Sequence, residues 1–180
     1  MTISKIIFIS LLFSGTVSSG NSCNKHDKPD EILWAKNIRL KWSYFQGTVP
    51  EFNGTVTALS QISLSVKYYN KSEIKKARAY CVFNKYGSWV KEKTDLGLQH
   101  EQLHFNIGEY FRRLLQNKID SVITRNRYIT ELTIETIFRE SKEYHKKMQL
   151  LYDSETSHGV YTLQQNTWEE KVEDWLKQTK

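Results

Sequence analysis

The chain has 180 residues, with 26 Lys and Arg against 20 Asp and Glu and a formal charge of +6, which is about the size of one domain. Hydrophobic residues make up 39% and aromatic residues 13%, enough for one packed core, so disordered and low-complexity classes are excluded. Two cysteines exclude a disulfide-dense scaffold and any zinc site built from Cys alone, and they leave one bridge at most, Cys23 to Cys81.

Residues 1–22 carry a single charge, Lys5, then the apolar run Ile6 to Ile9 and Leu11 to Phe13, then small residues from Ser14 to Ser22. This pattern predicts a signal peptide over 1–22 and a secreted or periplasmic mature domain over 23–180. The apolar run is roughly eight residues where a membrane-spanning helix needs about 20, so no integral span is expected in the mature chain. Lipid attachment at Cys23 is the lesser alternative, because Gly20 stands where a Leu would be expected.

Both prolines, Pro29 and Pro50, lie in the first third of the chain. From Gly54 to Tyr68 the sequence alternates, with Val56, Ala58, Ile62, Leu64, Val66 and Tyr68 on one face, which predicts a long half-buried strand. Ala77, Ala79, Cys81 and Phe83 repeat that period, and an apolar stretch runs from Ile32 to Trp42. A small antiparallel sheet of three or four strands follows, with an exposed edge expected within 54–68 or 76–85. After Trp89 the period changes. Leu103, Ile107, Tyr110, Phe111 and Leu114 predict a helix over about 95–118, capped by Thr94 and Asp95. A second amphipathic helix is expected between Tyr128 and Leu151, and a third from about Thr162 through Trp175 and Leu176. Strands first and helices afterwards predict a single α+β domain with the helices packed on the sheet.

His100, Glu101, Gln102, Leu103 and His104 form the pattern H-E-x-x-H inside the first predicted helix. Residues four apart lie about 40° apart around a helix and one turn along it, so both imidazoles can reach one ion. Glu101 is displaced by about 100°, placed to take a proton from a water that the metal has acidified. On the helical wheel the two histidines border the buried face, and Glu101 lies further out. A chance match with two surface histidines is the bland alternative.

A catalytic zinc takes three protein ligands and keeps one position open. Glu109 projects away from the His pair. The second helix can return the chain to the same end of the first, and the segment expected just after it carries Tyr152, Asp153, Glu155 and His158. His158 is the first choice for third ligand, with Glu155 and then Asp153 as alternatives or as groups orienting it. Tyr152 is a candidate donor to the oxyanion formed on attack, with core packing as the equal alternative. His145, beside Lys146 and Lys147, is expected at the surface, and His26 is assigned nothing.

HEQLHFNIGEY at His100 to Tyr110 resembles the H-E-Q-x-H-F-D-I-x-E signature of a bacterial family of predicted secreted Zn-dependent proteases, long filed as a domain of unknown function. KWSYFQGTVP at Lys41 to Pro50 is similar to that family's entry motif, and YDSETSHG at Tyr152 to Gly159 to its C-terminal motif. The resemblance covers about residues 32–178. It implies a zincin-like metallopeptidase that binds one Zn²⁺ through His100 and His104, with Glu101 as the catalytic carboxylate and a peptide or protein as substrate. Asn106 stands where the family usually has Asp. The rival expectation is a cell-envelope binding or assembly module with a structural or degenerate zinc site. Nucleic-acid binding is not expected, because the basic residues are scattered along amphipathic helices and form no single stripe.

Overall fold

The structure, a computed structural model, describes residues 30–51, 54–69 and 72–179. The signal peptide expected at 1–22, Cys23 and His26 lie outside the described residues. Three strands, β1 (Glu31–Leu33), β2 (Ala58–Tyr68) and β3 (Ala77–Val90), precede three helices, α1 (Asp95–Asn126), α2 (Glu131–Thr156) and α3 (Thr162–Gln178). The expected α+β architecture is what forms.

The sheet is antiparallel throughout, in the order β1-β3-β2. The segment 54–68 therefore does supply an edge strand, β2, whereas 76–85 belongs to the central strand β3. Of the apolar stretch at 32–42 only Ile32 and Leu33 pair as a strand, together with Glu31, opposite Val82 to Asn84. The rest is a loop and a short 3₁₀ turn at Trp42–Tyr44. That loop is tied down by side chains: Trp34 Nε1 donates to Asn106 Oδ1 at 3.0 Å, and Gln102 Oε1 accepts from the backbone N–H of Leu40 at 2.7 Å.

α1 starts where the Thr94 hydroxyl accepts a hydrogen bond from the Gly97 N–H at 3.0 Å, satisfying one of the unpaired donors of the first turn. It runs eight residues beyond the expected end at 118 and stops at Arg127, whose φ of 67° is left-handed. Ile129 then exchanges two backbone bonds with Ile74, and Thr130 caps α2. α2 lies antiparallel to α1, and α3 returns alongside both. No helix among the described residues is long and apolar enough to cross a membrane.

α1 is enclosed on two sides. Towards the sheet, Phe105 packs near Phe83 with ring centroids 6.1 Å apart, and the Cys81 thiol lies 3.8 Å from the Phe105 carbonyl oxygen. Cys81 is a free, buried thiol. Towards the helices, Tyr110 stacks on Trp175 at 4.7 Å. The close approach to the sheet occurs at Gly108, where an added Cβ would sit 2.6 Å from Ile62 Cγ2 and 2.8 Å from Cys81 Sγ. Gly108→Ala gains up to about 1 kcal/mol of helix propensity, but overpacking of this kind costs about 1–3 kcal/mol. The net expectation is a loss of about 1 kcal/mol, read as a lower denaturation midpoint at unchanged m-value; a midpoint at or above that of the parent would refute the tight contact.

Candidate metal centre

The two motif histidines occupy successive turns of α1 on the side facing α2 and α3, and both are buried. Each ring has one nitrogen held by a glutamine. His104 Nδ1 meets Gln149 Oε1 at 2.5 Å, and His100 Nδ1 meets Gln165 Oε1 at 3.2 Å. The orientation of each amide is fixed by a group that can only accept. Gln149 Nε2 donates to the His104 carbonyl at 3.0 Å, and Gln165 Nε2 donates to Glu169 Oε1 at 3.1 Å. Both Nδ1 atoms therefore carry a proton and donate, so Nε2 is the nitrogen that each ring can offer to a metal ion.

Those two Nε2 atoms point at each other across 3.1 Å, and Asp153 Oδ1 lies 3.1 Å from the first and 2.9 Å from the second. Two Nε2 atoms and a carboxylate oxygen in a triangle of this size need positive charge among them, which a proton on His104 supplies in the metal-free protein and a metal ion could supply in its place. Donors bound about 2.0–2.1 Å from a tetrahedral ion lie about 3.3 Å apart, so the triangle is near the size such an ion requires. His158 Nδ1 is 3.5 Å from the same oxygen, with its side chain 46% exposed. His100, Asp153 and His158 form a group that could hold a metal ion, their donor atoms all within 4.8 Å of one another.

The end of α2 brings Asp153 and His158 together. The expected helix end near Leu151 is extended by more than a turn, so Asp153 belongs to the last turn of α2 and not to a following loop. Ser157, His158 and Gly159 then adopt left-handed φ values of 50°, 55° and 84° in succession. Both Ser157 and His158 return their backbone N–H to the Asp153 carbonyl, the closure typical of a helix C-terminus. This folds His158 back over Asp153. Gly159 is required twice, by its positive φ and because a Cβ there would sit 3.0 Å from the His100 ring.

The other sequence candidates fall outside the donor set. Glu155 accepts a hydrogen bond from Trp168 Nε1 at 2.8 Å, so it serves the α2–α3 contact. Tyr152 is fully buried and stacks on His100 at 4.5 Å. Its hydroxyl donates to Gln165 Oε1 at 2.6 Å, which removes it as an oxyanion donor and makes it a wall of the site. Asn106 lies away from the donors. Its Oδ1 accepts from both Trp34 and Gln102, a double acceptor role that an Asp would also fill.

No family model, curated protein or solved structure matches the chain.

Glu101 differs most from its expected environment. The helical wheel placed it outside the buried face, yet it is only 4% exposed, because α1 is covered by the sheet as well as by the helices. Its Oε2 has no hydrogen-bond partner. Glu109, the other buried carboxylate of α1, accepts three N–H bonds from Arg112 and Arg113 at 2.7–2.9 Å. A buried carboxylate oxygen left unpaired costs about 1–3 kcal/mol or more, so the contrast singles out Glu101. Two clefts, about 930 Å³ beside Gln102 and Leu103 and about 400 Å³ beside Tyr144 and Met148, are not lined by Glu101 or by any of the four donors.

Charge follows geometry. Burial acts against a cationic His104, but the hydrogen bond and charge of Asp153, with Glu101 adding to them, hold its pKa up to about 9. Burial also raises the Asp153 carboxyl, and contacts with His100, His104 and His158 outweigh that, holding it well below the usual carboxylate range. His145, expected at the surface, is 8% exposed, and burial followed by the nearby charge of His104 brings it down to about 4.

For the metal-free protein the raised His104 contributes stability that is complete below its ordinary value of 6.5 and is lost as pH rises through about 9. The lowered His145 works in the other direction: its contribution is complete above 6.5 and is lost as pH falls towards about 4. Melting temperatures of chelator-treated protein should therefore peak near pH 6–7 and decline on both sides. A profile that stays flat from pH 6.5 to 9.5 would contradict the charge assignment at His104.

Proposed function

We propose that the chain is a zinc-dependent metallopeptidase in which His100, His104 and Asp153 hold one ion and Glu101 is the general base. The observation that carries this reading is the buried, unpartnered Oε2 of Glu101 on the same helix as two imidazoles whose Nε2 atoms converge on Asp153. A zinc ion bound there would supply Lewis acidity, polarising a peptide carbonyl and lowering the pKa of a water. Glu101 would take the proton from that water as it attacks the carbonyl carbon, and then pass the proton to the leaving amine nitrogen. His158, half-exposed and 3.5 Å from Asp153 Oδ1, would orient that carboxylate from the solvent side.

The motif resemblance to secreted Zn-dependent proteases agrees with this reading, and so does the interchange of Asn106 for Asp at a position that only accepts hydrogen bonds. One observation favours the rival, a non-catalytic envelope module with a structural zinc: His158 offers a fourth donor, and four protein ligands close a site. The two readings part at Glu101, which a structural site has no use for.

Purified protein should retain about one zinc per chain. Asp153→Ala should lower zinc affinity by more than the ~10–100-fold typical of groups that only orient a ligand, and His158→Ala should stay within that range. Glu101→Gln should keep the metal while hydrolysis of a mixed casein-peptide substrate falls by about 10²–10⁴-fold. Protein that binds no zinc would refute the metal site, and undiminished hydrolysis by Glu101→Gln would refute the base.

A further inference from the structure

His145, Gln149 and Asp153 lie at intervals of four on α2 and so form one stripe along the face turned towards His104. Asp153 reaches Nε2 of that ring and Gln149 reaches Nδ1. Gln149 is fully engaged: Oε1 accepts from His104 Nδ1, and the amide nitrogen donates both to the His104 carbonyl at 3.0 Å and to His145 Nε2 at 2.7 Å. Reversing the amide would set its oxygen against the His104 carbonyl, which can only accept, and lose that bond.

His145 can act as that acceptor only as the neutral ring with its proton on Nδ1. Its surroundings suit this form. The ring is enclosed by Phe111 at 5.7 Å and lies 3.6 Å from the Cβ position of Gly108, in an apolar setting that disfavours the imidazolium.

We propose that Gln149, locked by His145, is a positioning residue that presets His104 as an Nε2 metal donor, and that its neutrality keeps the bound metal more electrophilic than a carboxylate partner would. The inference rests on the metal reading. A carboxylate on the remote nitrogen of a ligating histidine raises the ligand's basicity and its hold on the metal. An amide fixes the same ring orientation and tautomer without adding charge, so ring geometry and metal affinity are set separately at this position.

Two variants test it, Gln149→Leu and Gln149→Glu, each measured by zinc competition with a chromogenic chelator and by the visible absorption of the Co²⁺ form. Gln149→Leu should bind zinc about 10–100-fold more weakly than the parent, with an altered Co²⁺ spectrum. Gln149→Glu should bind zinc more tightly than Gln149→Leu, because the carboxylate still accepts from Nδ1–H although it no longer donates to the His104 carbonyl or to His145. A third readout does not require metal: the Nδ1–H resonance of His104, shielded from exchange by its bond to Gln149, should be present in metal-free parent protein and absent from Gln149→Leu.

Parent protein that shows this resonance but binds neither zinc nor Co²⁺ would keep the positioning geometry and remove the metal reading. Parent protein that binds zinc and lacks the resonance would overturn the proposal. So would Gln149→Leu binding within twofold of the parent, or Gln149→Glu binding as weakly as Gln149→Leu. If Gln149→Leu does not fold, the parent resonance decides.

Discussion

Three electron-rich atoms, two imidazole nitrogens and one carboxylate oxygen, are held about 3 Å apart in a nearly dry setting, and they stay together only with positive charge between them. The surrounding fold reads as the means of holding them there. One helix supplies both nitrogens, so their spacing follows from the pitch of α1 and needs no tertiary adjustment. The oxygen comes from a second helix about fifty positions later, and an antiparallel return is the short way to bring it back to the same end. The price is the close at residues 157–159, where two non-glycine residues accept left-handed backbone conformations in succession.

Burial of α1 from two directions explains why its polar residues behave so differently from one another. A helix lying on a sheet alone would keep one face wet, and Glu101 and Glu109 would both find water. Here the sheet covers Phe105 and Gly108 while α2 and α3 cover the histidines, so every carboxylate on the middle of α1 is forced indoors. Glu109 is answered by two arginines, one of which, Arg113, also donates to the Leu176 and Thr179 carbonyls and secures the end of α3. Glu101 receives no such answer at Oε2. Unequal treatment of two like groups on one helix is more informative than the perturbation of either alone.

Features that depend on neighbours in sequence were legible before any coordinates: the alternation that became β2 and β3, the Thr94 cap, and the four-residue spacing of His100 and His104. Features that depend on three-dimensional neighbours were not. Residue type alone does not show that Asp153 sits in the last turn of α2 facing both imidazoles while Glu155 faces Trp168, and helix ends are poorly marked when the closing residues are Ser157 and His158 with Gly159 only third. Gln149 and Gln165 were passed over because glutamine carries no charge and has no motif of its own. The i, i+4 relation of His145, Gln149 and Asp153 was present in the sequence, but Lys146 and Lys147 made that stretch look like a wet face. Which segment would supply an exposed strand edge was also undecidable, since strand order in a three-stranded sheet follows from pairing across the chain.

Cys81 sits under α1, 2% exposed, with burial first and the charge of Glu109 second pushing its thiol well above the ordinary range. A thiol in that state is almost never ionised at neutral pH, and only the thiolate attacks disulfides or alkylating reagents. Even in an oxidising compartment it is therefore chemically silent while the sheet and α1 stay together. It becomes reactive only when they separate, so the rate of its modification is a clock for opening of the core itself, independent of anything that happens at the metal donors on the far side of the same helix.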